Sequence, residues 1–236
     1  MKTVNLNHIS IYPFKSKEDL IEFVEKEKGI LIAQCVGKVM NSSLEDKKLY
    51  NRHICYADGI GIKKALQKAG HKDAIQIPGC ELWLDIIKKE YSNKSFFFIG
   101  GKQKVIDDTV SKLKKQYPDI NIKGFRNGYI NSAEEKNELI KDIVTTKPDI
   151  IFVAMGSPAQ EHLMEDLFSK HKAIYQGLGG SFDVFTGNVP RAPKWWREHG
   201  LEWLFRLLRQ PKRINRYFSV VTFTLGYLTG NIYKDN

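Results

Sequence analysis

The chain has few of the features that mark secreted, metal-stabilised or membrane-spanning proteins. Only three of its 236 residues are cysteines, Cys35, Cys55 and Cys80, and none stands in a C-x-x-C pair. Because the cysteines are few and odd in number, the sequence excludes a disulfide framework and is typical of a protein of the reducing cytosol. The lack of a C-x-x-C pair disfavours structural zinc. The N-terminus has no signal-peptide pattern, and serine, threonine and glycine interrupt the apolar stretch Tyr217–Tyr233. The sequence therefore predicts neither secretion nor a transmembrane helix.

Three phosphate-binding motifs are also missing. The chain contains no G-x-G-x-x-G after a first strand and no G-x-x-x-x-G-K-[ST], so it lacks the signatures of dinucleotide-binding and P-loop proteins. It also contains no D-x-D, the carboxylate pair with which many nucleotide-sugar enzymes hold a divalent metal on a diphosphate. Fixed positive groups and helix dipoles are therefore expected to take the place of the metal ion at a bound diphosphate.

The chain does have enough apolar residues, 42%, for a sizeable core, and its length suits one large domain or one domain with an appendage. Short continuous apolar runs predict buried strands, and amphipathic stretches between them predict helices. The predicted strands are Gly29–Ala33, His53–Ala57, Ser95–Ile99, Asp149–Met155 and Lys172–Gly177. The predicted helices are Lys17–Lys28, Glu81–Tyr91, Gln103–Tyr117 and Glu134–Thr146. This alternation predicts an α/β, Rossmann-like, mostly parallel sheet flanked by helices.

Several predicted strands run directly into glycine. The sequences Ala57-Asp58-Gly59, Ile99-Gly100-Gly101 and Met155-Gly156-Ser157 all follow this pattern. Ligands of open α/β sheets bind outside the carboxyl ends of the strands, where glycine lets backbone N–H groups approach an anion. An ordinary turn is the alternative at each single position.

Positive charge is concentrated near the C-terminus. The net charge of the chain is +10, and Arg191–Arg216 holds eight basic and two acidic side chains, which leaves six net charges. Three of the four tryptophans lie there as well. Basic residues mixed with tryptophan and leucine on helices are typical of a segment that lies on a membrane. A terminal helix docked on the core with a solvated basic face is the alternative.

The motifs resemble the WecG/TagA/CpsF glycosyltransferase family, and the resemblance extends over about residues 30 to 231. It is carried by Tyr56–Gly61, Phe97–Gly101, Pro148–Glu161, Gly177–Asp183, Arg191–Lys194 and Gly200–Arg213. The resemblance implies an inverting, metal-independent transferase on the cytoplasmic face of the bacterial inner membrane. Such an enzyme moves a sugar from a UDP-sugar to an undecaprenyl-diphosphate-linked amino sugar, with no cofactor, during synthesis of O-antigen, capsule, common antigen or teichoic acid.

The resemblance also implies roles for individual residues. Asp58 matches the proposed general base that takes the acceptor's proton, with helix capping as the alternative. The matches expected to bind the donor are Gly100, Gly101, Met155, Gly156, Ser157, Gln160, Gly179, Gly180 and Asp183. Those expected to bind the acceptor diphosphate and the membrane are Arg191, Lys194, Arg206, Arg209, Lys212 and Arg213. Residues 1–190 are thus a catalytic domain and residues 191–236 a membrane-associating appendage. The expected partners are the donor, the acceptor, an anionic membrane surface and, in some family members, further copies of the chain.

Two departures from the family pattern affect the expected donor. Cys35-Val36-Gly37 stands where the family commonly has Asn-Ala-Glu, and Gln76 stands where it commonly has arginine. Loss of a cation disfavours a uronic acid donor, so UDP-N-acetylmannosamine, its uronic acid and a neutral hexose donor such as UDP-glucose all stay open. A non-catalytic module that binds UDP-sugar or polyisoprenoid diphosphate, and a basic nucleic-acid binder, are the alternatives from other classes.

Overall fold

The computed structural model of the chain describes residues 1–198, 204, 205, 208 and 215–233. The strands are β1 (Val4–Leu6), β2 (Ile9–Ile11), β3 (Gly29–Gln34), β4 (Ile54–Ala57), β5 (Ser95–Gly100), β6 (Asn121–Arg126), β7 (Ile150–Ala154) and β8 (Ile174–Gly177). The first helices are α1 (Lys17–Glu27), α2 (Val36–Asn41), α3 (Leu44–Tyr50), α4 (Ile60–Lys68), α5 (Gly79–Glu90) and α6 (Gln103–Gln116). The later ones are α7 (Ala133–Thr146), α8 (Ala159–Lys170), α9 (Ser181–Thr186), α10 (Lys194–Glu198) and α11 (Asn215–Thr229), followed by a 3₁₀ turn at Asn231–Tyr233.

The predicted fold class is confirmed. Within the described residues, six strands form a mostly parallel sheet in the order β4-β3-β8-β7-β5-β6, and β1 and β2 form a separate antiparallel pair. The five predicted strands are all present, because each is a continuous apolar run that the sheet buries. In β7, for example, all five residues are buried. The four predicted helices are also present, with ends within two residues of the predicted ones.

The contacts within the chain divide it into two units. Unit 1 comprises residues 1–17, 33–78 and 190–236, and unit 2 comprises residues 18–32 and 79–189. The C-terminal residues therefore group with the region that contains β4, α2 and α4. The appendage predicted for residues 191–236 falls inside unit 1.

The core of unit 2 is built on aromatic side chains. Phe96, Phe98 and Phe152 stack on one another across β5 and β7, with ring centroids 5.6–6.3 Å apart. Trp83 of α5 meets Phe152 and Phe182 edge to face. Such pairs contribute about 0.5–1.5 kcal/mol each beyond the burial of their area. These aromatic contacts pack β5 and β7 together, and the glycine turns follow the carboxyl ends of these two strands.

The C-terminal helix α11 closes the core of unit 1. Phe223 is buried, and one of its ring carbons lies 3.5 Å from the point where a Cβ on Gly61 would stand. Ser219 is buried as well and hydrogen-bonds the side chain of Asn41 at the end of α2. At the other end of α11 the Lys68 ammonium donates to the carbonyl oxygen of Tyr227. This contact suits a helix C-terminus, whose carbonyl groups attract cations.

Candidate active site

Asp58 lies directly after β4 in unit 1 and is half-buried. Its N–H donates to the carbonyl oxygen of Gln34 at 3.0 Å, and the N–H of Gly59 donates to the same oxygen at 3.3 Å. The carboxyl ends of β3 and β4 therefore adjoin. Gly59 occupies the N-cap position of α4, so the helix-capping alternative for Asp58 is wrong.

Gln76 supports the loop that carries Asp58. Its amide nitrogen donates to the backbone carbonyl oxygen of Asp58 at 2.8 Å, and the neighbouring Ile77 N–H donates to Ala57 at 2.8 Å. The glutamine that stands in place of the family's arginine thus holds the backbone of the proposed base. Gln76 lies 18 residues from Asp58, and nothing in the local sequence predicts this hydrogen bond.

Cys35 is the exposed residue that follows β3. A Cβ added to Gly59 would stand 3.5 Å from the Cα and Cβ atoms of Cys35. The thiol-bearing residue therefore lies beside the Asp58-Gly59 turn, in the place where the family pattern commonly has asparagine.

In unit 2, the turn after β5 requires glycine. Gly100 has φ +137°, and a Cβ there would stand 2.3 Å from the carbonyl oxygen of Ala154. Gly101 has φ +68°, and its N–H donates to that same oxygen at 3.1 Å. No other residue type fits Gly100, because only glycine combines the backbone angle with so close an approach. The N–H of Gly101 stabilises the turn.

Gly128 completes this turn, although it was not among the residues predicted for the site. Its N–H donates to the carbonyl oxygen of Gly101 at 2.9 Å. A Cβ on Gly128 would stand 3.1 Å from both Gly100 Cα and Met155 Cγ. The signal that was present is the dipeptide Asn127-Gly128, a common turn sequence.

The described residues leave space open at the turns after β7 and β8. Gly156 has φ +83° and Gly179 has φ +58°, and a Cβ on Gly156, Gly179 or Gly180 would meet no atom of the described residues within 4 Å. Ser157 and Gly180 are exposed, while Met155 is partly buried. These turns therefore offer uncovered backbone at the carboxyl ends of two neighbouring parallel strands, where α/β folds bind ligands.

Gln160 is buried, with 4% of its surface exposed, and its amide is held from both sides. The side-chain oxygen accepts hydrogen bonds from the N–H groups of Gly156 at 3.2 Å and Gly179 at 2.9 Å. The side-chain nitrogen donates to Glu161 Oε1 at 3.0 Å. Pro158 occupies the N-cap position of α8, two residues before Gln160.

The remaining predicted residues lie in different places. Asp183 is half-buried in the first turn of α9. Arg191 is half-buried, and Lys194 begins α10 with its side chain exposed. Arg206, Arg209, Lys212 and Arg213 lie outside the described residues.

The predicted roles follow the division of the chain. The nine predicted donor-binding residues all belong to unit 2, whereas Asp58, Arg191 and Lys194 belong to unit 1. Unit 2 brings Gly100, Gly101, Met155, Gly156, Gln160 and Gly179 together around the turns after β5, β7 and β8.

Among the described residues, no three His, Cys, Asp or Glu side chains gather as a metal site. No helix in this part of the chain has the length and apolarity to cross a bilayer.

Comparisons with known proteins identify the family. The structure of unliganded arylmalonate decarboxylase is similar over 73% of this chain and 74% of that one, at 9% sequence identity and a TM-score of 0.26. The family model for the glycosyl transferase WecG/TagA/CpsF family matches residues 9–234. With nearly its whole length matched, the chain belongs to the glycosyl transferase WecG/TagA/CpsF family and is a glycosyltransferase of cell-surface polysaccharide synthesis.

Proposed function

We propose that the protein transfers a sugar from a UDP-sugar to an amino sugar carried on undecaprenyl diphosphate, with inversion at the anomeric carbon and without a metal ion. The observation that carries the proposal is the grouping of all predicted donor-binding residues in unit 2. There no described residue lies within 4 Å of a Cβ built on Gly156, Gly179 or Gly180. Backbone free of side chains suits the close approach of a diphosphate.

In the proposed reaction, a hydroxyl oxygen of the acceptor sugar attacks the anomeric carbon of the donor. The bond from that carbon to the phosphate oxygen breaks, and UDP leaves with the electron pair. Asp58 takes the proton of the attacking hydroxyl, which is a poor nucleophile until it is deprotonated. Positive groups at the diphosphate, among them the expected Arg206, Arg209 and Arg213, offset the charge that develops on UDP.

The same proposal places the enzyme on an anionic membrane surface at the cytoplasmic face. The outward side of α11 carries Phe218, Val221, Leu225 and Leu228, between 59 and 72% exposed, at helical spacing. The opposite side of α11 packs on α2 and Gly61. A helix with an apolar outer face on a basic unit is typical of interfacial attachment, in which the helix lies in the headgroup region.

A panel of donors tests the proposal. Purified protein is incubated with UDP-glucose, UDP-N-acetylmannosamine or its uronic acid, with undecaprenyl-diphosphate-linked GlcNAc or GalNAc as acceptor. Products are identified by mass and by linkage NMR. We expect one donor to give an inverted glycoside, at a rate that EDTA leaves unchanged.

Two outcomes contradict parts of the proposal. A strict requirement for Mg²⁺ or Mn²⁺ overturns the metal-free mechanism. Binding of UDP without turnover of any donor favours the alternative of a non-catalytic module that binds UDP-sugar or polyisoprenoid diphosphate.

A further inference from the structure

Gln160 was expected to line the donor pocket, but both the oxygen and the nitrogen of its amide form hydrogen bonds within the protein. The oxygen accepts from Gly156 N–H and Gly179 N–H, and the nitrogen donates to Glu161, while only 4% of the residue is exposed. These bonds fix the orientation of the amide, because the reverse orientation would turn its NH₂ group toward two N–H donors.

We propose that Gln160 and Glu161 act as a positioning pair that fixes the turn after β7 relative to the turn after β8. Gly156 belongs to the first turn and Gly179 to the second, and a single oxygen atom holds both. The inference rests on the proposed function, in which these turns receive the donor diphosphate. Gln160 then acts through the backbone of the turns, without touching the donor.

Gly177 is a requirement of this arrangement. A Cβ at Gly177 would stand 2.5 Å from Gln160 Nε2 and 3.0 Å from Met164 Cε. The end of β8 therefore carries glycine so that the amide of Gln160 can lie against it. This explains one of the glycines in Gly177-Leu-Gly-Gly180 by packing against Gln160, with no ligand involved.

Glu161 provides the other half of the pair. It is 1% exposed and lies in the first turn of α8, where the helix dipole favours a negative charge. Its carboxylate accepts from the amide of Gln160, which turns the amide oxygen toward the two glycines. A carboxylate in place of the amide would meet Glu161 at about 3 Å, and two buried carboxylates so close share one proton.

Three variants test the pair: Gln160→Glu, Glu161→Gln and the double exchange Gln160→Glu/Glu161→Gln. We expect Gln160→Glu to bind UDP like wild type near pH 5.5, where a shared proton bridges the carboxylates, and at least tenfold more weakly at pH 8. The double exchange restores a carboxyl oxygen for the two N–H groups and an amide donor beside it. We therefore expect its UDP affinity within about threefold of wild type at both pH values.

UDP affinity is measured by titration calorimetry across this pH range, and circular dichroism checks that each variant is folded. The inference is overturned if Gln160→Glu binds UDP like wild type at pH 8, or if the double exchange binds no better than Gln160→Glu. Absence of UDP binding by the wild type counts against the proposed function instead. In that case, hydrogen exchange of the Gly156 and Gly179 amides, measured by NMR, tests the pair. Faster hydrogen exchange in Gln160→Glu at pH 8, restored to the wild-type rate in the double variant, supports the pair. Unchanged hydrogen exchange in Gln160→Glu refutes it.

Discussion

At the scale of single residues, the proposed chemistry depends most on Asp58. Its loop is fixed by backbone bonds to Gln34 and by the amide of Gln76, so a change confined to the carboxylate leaves that framework in place. A conservative substitution is therefore a clean test of whether this group is the base.

We expect Asp58→Asn to lower kcat by about 10²–10⁴-fold, because an amide cannot take the proton of the acceptor hydroxyl. UDP affinity should stay unchanged, since the predicted donor-binding residues belong to unit 2. Asp73→Asn is the matched control, an exposed aspartate of the same unit that pairs with Lys15. Steady-state kinetics and UDP titration give both quantities. Full turnover by Asp58→Asn would remove Asp58 from the role of base.

Asp149 makes a second prediction at this scale, about stability. Burial alone would raise the pKa of its carboxyl group, but hydrogen bonds from the N–H and hydroxyl of Ser95 and the charges of Lys94 and Lys28 lower the pKa overall. A carboxyl group with a lowered pKa in the folded state stabilises the protein above its unfolded pKa of about 4. That contribution is lost as the pH falls toward the folded pKa.

We expect Asp149→Asn to lower the free energy of unfolding by about 1–3 kcal/mol at pH 7, the usual cost of losing hydrogen bonds to a charged group. As the pH falls from about 4 through the lower folded pKa, the two proteins should converge, because Asp149 becomes protonated first in the unfolded and then in the folded protein. Urea unfolding at several pH values measures the difference, and the exposed Asp119→Asn serves as control. A constant difference down to pH 2 would show that the charge of Asp149 is not the cause.

At the scale of elements, the turns after the strands depend on glycine to different degrees. Gly100 combines a positive φ with a Cβ position only 2.3 Å from a carbonyl oxygen. Gly37, in α2, has no atom of the structurally described residues within 4 Å of its Cβ position. Alanine substitutions at Gly100 and Gly37 therefore separate the specific need for glycine from the general effect of adding a methyl group.

We expect Gly100→Ala to lower the free energy of unfolding by about 2–5 kcal/mol, from backbone strain together with the clash against Ala154. Gly37→Ala should be neutral or slightly stabilising, because alanine is the better helix former. Thermal or urea unfolding compares the two variants. Equal stability of both would show that the turn after β5 can relax to accept a side chain.

The elements that the sequence predicted are those whose signal is local. β5 and β7 are continuous apolar runs, which a parallel sheet buries on both faces. The strand β6 was missed because it alternates between exposed and half-buried residues and contains Gly124. The hydrogen bond between Gln160 and Gly179 was missed for a different reason. Gly179 lies 19 residues from Gln160, and nothing in the local sequence predicts a contact between them.

At the scale of the whole molecule, the positive charge belongs to one unit. Unit 1 contains 20 basic and seven acidic side chains, a net charge of +13, and unit 2 contains 17 and 20, a net charge of −3. The sequence placed six net charges near the C-terminus, but residues 1–17 and 33–78 add seven more to the same unit. That sum follows only from which segments pack together, so it was not predictable from the linear order.

We expect Lys63→Glu/Lys64→Glu in unit 1 to weaken binding to phosphatidylglycerol vesicles at least tenfold, since each basic residue near such a surface contributes about 1 kcal/mol. Lys114→Glu/Lys115→Glu makes the same charge change in unit 2 and should have little effect. Vesicle sedimentation measures both, and added salt should weaken binding by wild type. Equal losses in the two variants would indicate attraction by total charge, without a membrane-facing unit.

The discontinuity of unit 1 has a consequence for how the protein is made. The N–H of Asn7 donates to the carbonyl oxygen of Ile232, and Phe223 fills space beside Gly61, so the earliest and latest described segments complete one core. On the ribosome, the residues of unit 2 are all synthesised by Val189, whereas unit 1 waits for α11. Folding of the charged unit therefore waits for the synthesis of α11, the helix that carries the apolar face. A chain shortened before Asn215 would lose part of that core, so point substitutions on the outer face of α11 test the proposed membrane attachment more cleanly than truncation does.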